Sequence, residues 1–174
     1  NGIWNGCNTD LCYSFGLATD VPVAGDWNGS EAMETGVFRG GKWYLDANGN
    51  GIWNGCNTDL CYSFGLAGDI PVTGDWNNDG IAEIGTFRNG QWYLDYNGNG
   101  IWNGCGTDLC YSFGPATDVP VAGDWNNDGF DEIGTFRNGK WYLDFSGNGL
   151  WSGCGTDRCY GFGLSSDKPV TGKW

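Results

Sequence analysis

Short runs of aromatic and β-branched residues, bounded by Gly, Asn or Asp, recur along this chain. VPVAGDW (21–27), CYSFG (61–65), EIGTFR (83–88) and KWYLD (140–144) are representative. Each predicts a strand of about five residues. No segment carries apolar residues at helical spacing over more than two turns, so no helix is expected. The runs return in strict register. NGIWNGC begins at Asn1, and its counterparts begin at Asn50, Asn99 and Asn148, the last reading NGLWSGC. The period is 49 residues each time, without insertion or deletion. Residues 1–174 therefore read as a single repeat domain of units 1–49, 50–98 and 99–147 and a partial fourth, 148–174.

A constant period of this length marks a repeat architecture in which each unit is one supersecondary element. Four short strands per unit predict an all-β fold, a β-propeller-type array of four-stranded blades with three complete repeats and part of a fourth. A β-solenoid is the alternative, but its coils are shorter and simpler. Three and a half blades do not close a ring. If a blade starts at PVxGDW, segment 1–16 is an outermost strand without its inner partners. The rest of the ring is then expected outside this chain or from other chains, and unpaired edges predict head-to-tail self-association. The first residue is Asn and no signal-like segment follows it, so a processed form or a piece of something longer is expected.

Between the first two strands of each unit lies an acidic loop. In GDWNNDGFDEIG (123–134), Asp124, Asn126, Asp128 and Glu132 stand at positions 1, 3, 5 and 9, with Gly129 at 6 and the Phe130 carbonyl at 7. That is the oxygen-ligand spacing of a calcium loop, where a hard cation takes six to eight oxygens around a sharp glycine turn. The second unit repeats the set as Asp75, Asn77, Asp79, the Ile81 carbonyl and Glu83. The competing reading is an Asx-rich β-turn. The first unit keeps Asp26, Asn28, Ser30 and Glu34 but has Glu31 in place of the turn glycine, a weaker set. In the fourth, Lys173 replaces the first Asp and no site is expected.

A second loop follows WYLD. Asp95, Asn97, Asn99 and Asn103 repeat the 1, 3, 5, 9 spacing with Gly100 at 6. Asp46, Asn48, Asn50 and Asn54 match it, and Asp144, Ser146, Asn148 and Ser152 match it less well. One carboxylate per loop neutralises a dication poorly, and Asn-Gly is also the preferred two-residue hairpin turn.

FG before a strand, then GDWNNDGxxEIG, then an aromatic strand, resembles the FG-GAP/VCBS repeats of the integrin-α type of β-propeller, over essentially the whole chain. In that family the acidic loop joins two adjacent blade strands and binds calcium. The resemblance implies the same for the ligand positions above, and an adhesion or binding role.

Cys7/Cys12, Cys56/Cys61, Cys105/Cys110 and Cys154/Cys159 form four C-x4-C pairs, one per unit. A zinc site would need thiolates from two units, and there is no His to help. Local disulfides are the better reading, each closing a small loop worth about 2 kcal/mol. They imply an oxidising compartment, and an extracellular protein is expected. The 11 Trp fall in register as Trp4, Trp53, Trp102 and Trp151; Trp27, Trp76, Trp125 and Trp174; and Trp43, Trp92 and Trp141. Packing between blades accounts for any one set. If one set is exposed and stacks on glycans, it is expected to be the NGxW set, Trp4, Trp53, Trp102 and Trp151.

Charge narrows the partners. A net charge of −13 argues against nucleic acid. No apolar run approaches the roughly 18–20 residues of a membrane span, so no insertion is expected. With no His, neither a Ser-His nor a Cys-His nucleophile pair can form, and the carboxylates recur in register as structural elements do. A non-catalytic module is expected, with calcium as cofactor and an extracellular protein or glycan as partner. The alternative is a structural protein that builds filaments or arrays through its half-blade ends. Asn28-Gly29-Ser30 has the form of an N-glycosylation acceptor, with weaker NGC patterns at Asn5, Asn54 and Asn103.

Overall fold

A computed structural model describes residues 2–172, so Asn1, Lys173 and Trp174 lie outside the described residues. The described residues form an all-β array of three four-stranded antiparallel sheets, and none of them is helical. The first sheet comprises β1 (Val21–Gly25), β2 (Glu34–Arg39), β3 (Lys42–Leu45) and β4 (Leu60–Ser63). The second comprises β5 (Ile70–Gly74), β6 (Glu83–Arg88), β7 (Gln91–Leu94) and β8 (Leu109–Ser112). The third comprises β9 (Val119–Gly123), β10 (Glu132–Arg137), β11 (Lys140–Leu143) and β12 (Arg158–Gly161). In each sheet the strands lie in chain order, an antiparallel meander. The predicted strands fall where expected with trimmed ends, since VPVAGDW, KWYLD and CYSFG all stop short of their last residues. The outermost strand expected in segment 1–16 is not formed among the described residues, where Ser14 makes only an isolated bridge to Ile52. The sheets run 21–63, 70–112 and 119–161, so each takes its fourth strand from the next counted unit.

The second strand explains why the units stack. Glu83 through Phe87 are all buried, because β6 is covered on both faces. Ile84 joins the core of the preceding sheet with Trp27, Phe38, Trp43, Leu45 and Phe64. Phe87 faces the following sheet, in a core with Trp76, Trp92, Leu94, Phe113 and Ile133. Alternation along one strand thus feeds two cores, and burial of this apolar surface holds neighbouring sheets together. The indole N–H groups of Trp43 and Trp92 donate to the carbonyls of Phe64 and Phe113 at 2.9 Å, which makes complete burial tolerable. Along the first-strand edges of the sheets, β1 packs beside β5 and β5 beside β9, with Thr73 Oγ1 donating to the Ala24 carbonyl at 2.9 Å. At the fourth-strand edge, Ser63 bridges Ile101 in parallel.

Gly85 sits mid-strand because nothing larger fits. A Cβ there would lie 2.7 Å from Leu94 Cδ2 and 3.0 Å from Val72 Cγ2. Gly85→Ala is expected to lose about 1–3 kcal/mol through overpacking, read as a lower denaturant midpoint with an unchanged slope.

Candidate metal centre

The connection from strand one to strand two and the one from strand three to strand four leave the same end of each sheet. Both acidic loops and NGNG loops are therefore gathered there. In the second sheet the acidic loop is wrapped by its own first residue. Asp75 Oδ1 accepts the Asp79 N–H at 3.1 Å and Oδ2 accepts that of Gly80 at 2.8 Å. Asp79 Oδ1 accepts the Ile81 N–H at 2.9 Å. Gly80 takes φ +85°, where a side chain would be strained. Glu83, at the start of β6, turns back, and its Oε2 accepts the Trp76 N–H at 2.9 Å. The third sheet repeats this with Asp124 Oδ1 on Asp128 N–H, Asp128 Oδ1 on Phe130 N–H and Glu132 Oε2 on Trp125 N–H.

Asp75, Asp79 and Glu83 bring one carboxylate oxygen each within 4.8 Å of one another, and so do Asp124, Asp128 and Glu132. Two acidic triads therefore exist that can hold a metal ion. Among the described residues no Lys or Arg forms an ion pair with them, since the three pairs found join Arg39 to Asp20, Arg88 to Asp69 and Arg137 to Asp118. Burial pushes the Glu83 carboxyl up to about 9 and Glu132 up to about 8, with the neighbouring acids adding to the shift. The amide of Asn77 supplies what positive charge there is: its Nδ2 donates to Glu83 Oε1 at 2.9 Å and to the Tyr96 carbonyl at 3.1 Å. Its Oδ1 is left buried and without a partner, as is that of Asn126. A cation in the cluster would reverse that arrangement, taking the amide oxygen as a ligand. Ile81 and Phe130, the residues expected to offer carbonyls, lie at the exit of each loop with exposed side chains.

The first loop differs as its sequence suggests. Ser30 replaces the middle acid, so Asp26 and Glu34 stand without a third carboxylate, and Ser30 Oγ donates to Glu34 Oε1 at 3.2 Å. Glu31 adopts φ +66° at the position held by glycine in the other two loops. A non-glycine residue there costs about 1–2 kcal/mol, so Glu31→Gly is expected to raise the thermal midpoint by a corresponding few degrees. Asn28, the acceptor-pattern residue, is exposed, and its Nδ2 donates to the Ala47 carbonyl at 2.8 Å.

Two features were not apparent in the sequence. Consecutive acidic loops are laced together: the Asp131 N–H donates to the Asp75 carbonyl at 2.8 Å, and Asp131 Oδ2 accepts the Asp75 N–H at 3.0 Å. The only hint was that Asp131 stands where the other units have Met33 and Ala82. The second feature is a set of aspartates inside the disulfide turns. Asp59, Asp108 and Asp157 are buried, and each accepts the N–H of the residue at position nine of an NGNG loop: Asn54, Asn103 and Ser152, at 2.6 Å. The invariant spacing of the TD pair was their signal.

The NGNG loops carry the rest of the expected set. Asp46 and Asp95 are buried at their bases, whereas Asn48, Asn50, Asn97 and Asn99 are exposed. All four cysteine pairs are disulfides, Cys7–Cys12, Cys56–Cys61, Cys105–Cys110 and Cys154–Cys159. The NGxW tryptophans are the exposed set, from 38% at Trp53 and Trp102 to 67% at Trp4. Trp53 and Trp102 are each gripped edge-on by a Phe and a Tyr, Phe15 with Tyr44 and Phe64 with Tyr93. Among the described residues no helix is long and apolar enough to cross a membrane. Compared with known proteins, the chain matches no family model, no curated protein and no solved structure.

Proposed function

We propose that this chain is an extracellular, calcium-stabilised β-propeller repeat module of the FG-GAP/VCBS kind, which works by binding or assembly and not by catalysis. The observation that carries the reading is the pair of triads, Asp75/Asp79/Glu83 and Asp124/Asp128/Glu132, each converging without a basic partner. Oxygen-only donors and loops wound around glycine suit calcium better than zinc, which prefers nitrogen and sulfur. The blade arrangement is supported by the packing of β1 beside β5 beside β9, with the first strand of each sheet next to its neighbour's. Four disulfides favour an oxidising, extracellular setting, where calcium is abundant. With a Kd of about 0.1 mM and calcium near 2 mM, each site would add roughly 1.8 kcal/mol of stability.

The test is a calorimetric titration of the whole chain with calcium, beside Asp79→Asn/Asp128→Asn. Submillimolar binding that the double variant loses supports the reading. Absence of binding heat, with the same thermal midpoint in calcium and in chelator, refutes it. A glycan ligand is a second reading, favoured by the exposed NGxW row. A glycan screen that quenches fluorescence in the wild type but not in Trp102→Ala would establish it.

A further inference from the structure

We propose a second kind of cation site, in two of the repeats, made by an NGNG loop together with the aspartate inside the following disulfide turn: Asp95 with Asp108, and Asp46 with Asp59. Its occupant is a hard divalent cation of the calcium class. The inference uses none of the acidic-loop residues and stands or falls separately from them.

Asp95 and Asp108 are each 1% exposed. Each spends one oxygen on the backbone: Asp95 Oδ2 accepts the Gly100 N–H at 2.7 Å, and Asp108 Oδ2 accepts the Asn103 N–H at 2.6 Å. The other oxygen of each, Oδ1 in both cases, is buried without a hydrogen bond of good geometry. The Asn99 and Gly98 N–H groups lie near the Asp95 carboxylate and, among the described residues, none near that of Asp108 but the Asn103 N–H. Buried carboxylates are normally paired or bound to a metal, because an uncompensated charge away from water is costly. Here two anchor the same loop, Asp95 through the Gly100 N–H and Asp108 through the Asn103 N–H. Neither is ion-paired among the described residues. Holding the chain in its turn explains the bonded oxygens. It leaves the orphaned pair unexplained.

The loop supplies further oxygens. Asn97 Nδ2 and Asn99 Nδ2 both donate to Asn103 Oδ1, at 3.0 and 2.6 Å, so three amide groups cluster in the loop whose Asn103 N–H Asp108 holds. Two carboxylates and three amide oxygens, with water, meet the six to eight oxygens that calcium takes. The 46–59 set repeats the amide cluster, with Asp59 Oδ1 unpartnered and Asn48 and Asn50 donating to Asn54 Oδ1 at 2.9 and 2.7 Å, while Asp46 Oδ1 accepts the Asn50 N–H at 3.2 Å. The 144–157 set does not. There Ser146 takes the place of the amide, its Oγ donating to Asp144 Oδ1 at 3.3 Å and its N–H to Asp157 Oδ1 at 3.4 Å, so the chain satisfies its own oxygens.

The site has a structural consequence. Gly100, inside the loop, lies under the Tyr62 ring of the preceding sheet, where a Cβ would come within 1.9 Å of Tyr62 Cδ1, and the next residue bridges Ser63. A cation between Asp95 and Asp108 would tie the disulfide turn to the loop that packs against the preceding sheet.

The test counts calcium ions on the intact chain by native mass spectrometry, with calcium alone as the probe, and follows melting in calcium and in chelator. Four ions are expected on the wild type, two from each kind of loop, three on Asp108→Asn and three on Asp79→Asn. Asp108→Asn keeps the bond to Asn103 and removes a buried charge. In chelator it is expected to melt no lower than the wild type, while losing part of the rise that calcium brings. A purely structural aspartate would do the reverse. Asn97→Ala, at an exposed position, is expected to cost an ion as well and serves if Asp108→Asn does not fold. Two ions on the wild type, with no change in either Asp108→Asn or Asn97→Ala, overturn the proposal and leave the acidic loops standing. Loss of an ion from Asp108→Asn but none from Asp79→Asn supports it and removes the acidic loops instead.

Discussion

Arg88→Met is expected to destabilise the protein by about 2–3 kcal/mol, more than loss of a surface ion pair but less than a fully buried one, because the arginine is 34% exposed. The Arg88 guanidinium grips Asp69 in fork geometry, Nε to Oδ1 at 2.6 Å and Nη2 to Oδ2 at 2.9 Å, while lying over the Tyr93 ring at 4.9 Å. Asp69 has only 2% of its side chain exposed, so removing the arginine strands a charge where water does not reach. The same carboxylate accepts the Leu66 N–H at 2.8 Å and so shapes the turn into β5. Arg88→Met/Asp69→Asn is therefore expected to recover more than half of the loss, because the turn bond survives and the charge is gone. Urea unfolding of the wild type, single and double variants measures this directly. A single variant within about 1 kcal/mol of wild type would falsify the burial argument.

The metal-free protein is expected to lose stability as pH rises from about 4.5 toward 8, the opposite of ordinary acid denaturation. Glu83 and Glu132, with an ordinary value of 4.5, sit at about 9 and about 8 in the fold. Between those limits the unfolded chain has ionised these groups while the folded chain still holds their protons. The folded state binds more protons, and each group lowers stability by up to about 1.4 kcal/mol per pH unit. Facing Glu83 are Asp75, Asp79 and Asp95, and facing Glu132 are Asp124, Asp128 and Asp144, all of which add repulsion as they ionise. Bound calcium would replace the protons and flatten the dependence. Melting in chelator at about pH 5 and about pH 7.5, then again in calcium, checks both halves. A chelated midpoint that rises with pH contradicts the electrostatics of the loops; a fall that calcium does not reverse leaves the electrostatics intact and removes the cation.

Strand positions were legible because each run is short, aromatic or β-branched and closed by turn residues, and a constant period repeats the message three times. The acidic loops were legible for a similar reason. Acids at positions 1, 5 and 9 are local, and a tight turn brings local residues together without help from the rest of the fold. The disulfides joined neighbours five apart and needed no topology. Even the divergence of the first loop could be read, since Ser30 and Glu31 interrupt the pattern in place.

What remained hidden were relations between distant segments. Sequence alone determined the period, the strands, the cysteine pairing and the local acid spacing, all of which depend on residues within about one turn of each other. Only the tertiary structure decided that Ile84 feeds the core of the sheet before it, that Asp131 locks the loop of Asp75, and that Arg88 reaches Asp69. It also decided that Asp108, thirteen residues on from Asp95 and outside any loop motif, is folded back onto the loop that Asp95 opens, with an oxygen to spare. Sequence spacing records what a turn can bring together. Burial, and the charge it leaves without a partner, depends on which surfaces the sheets close over.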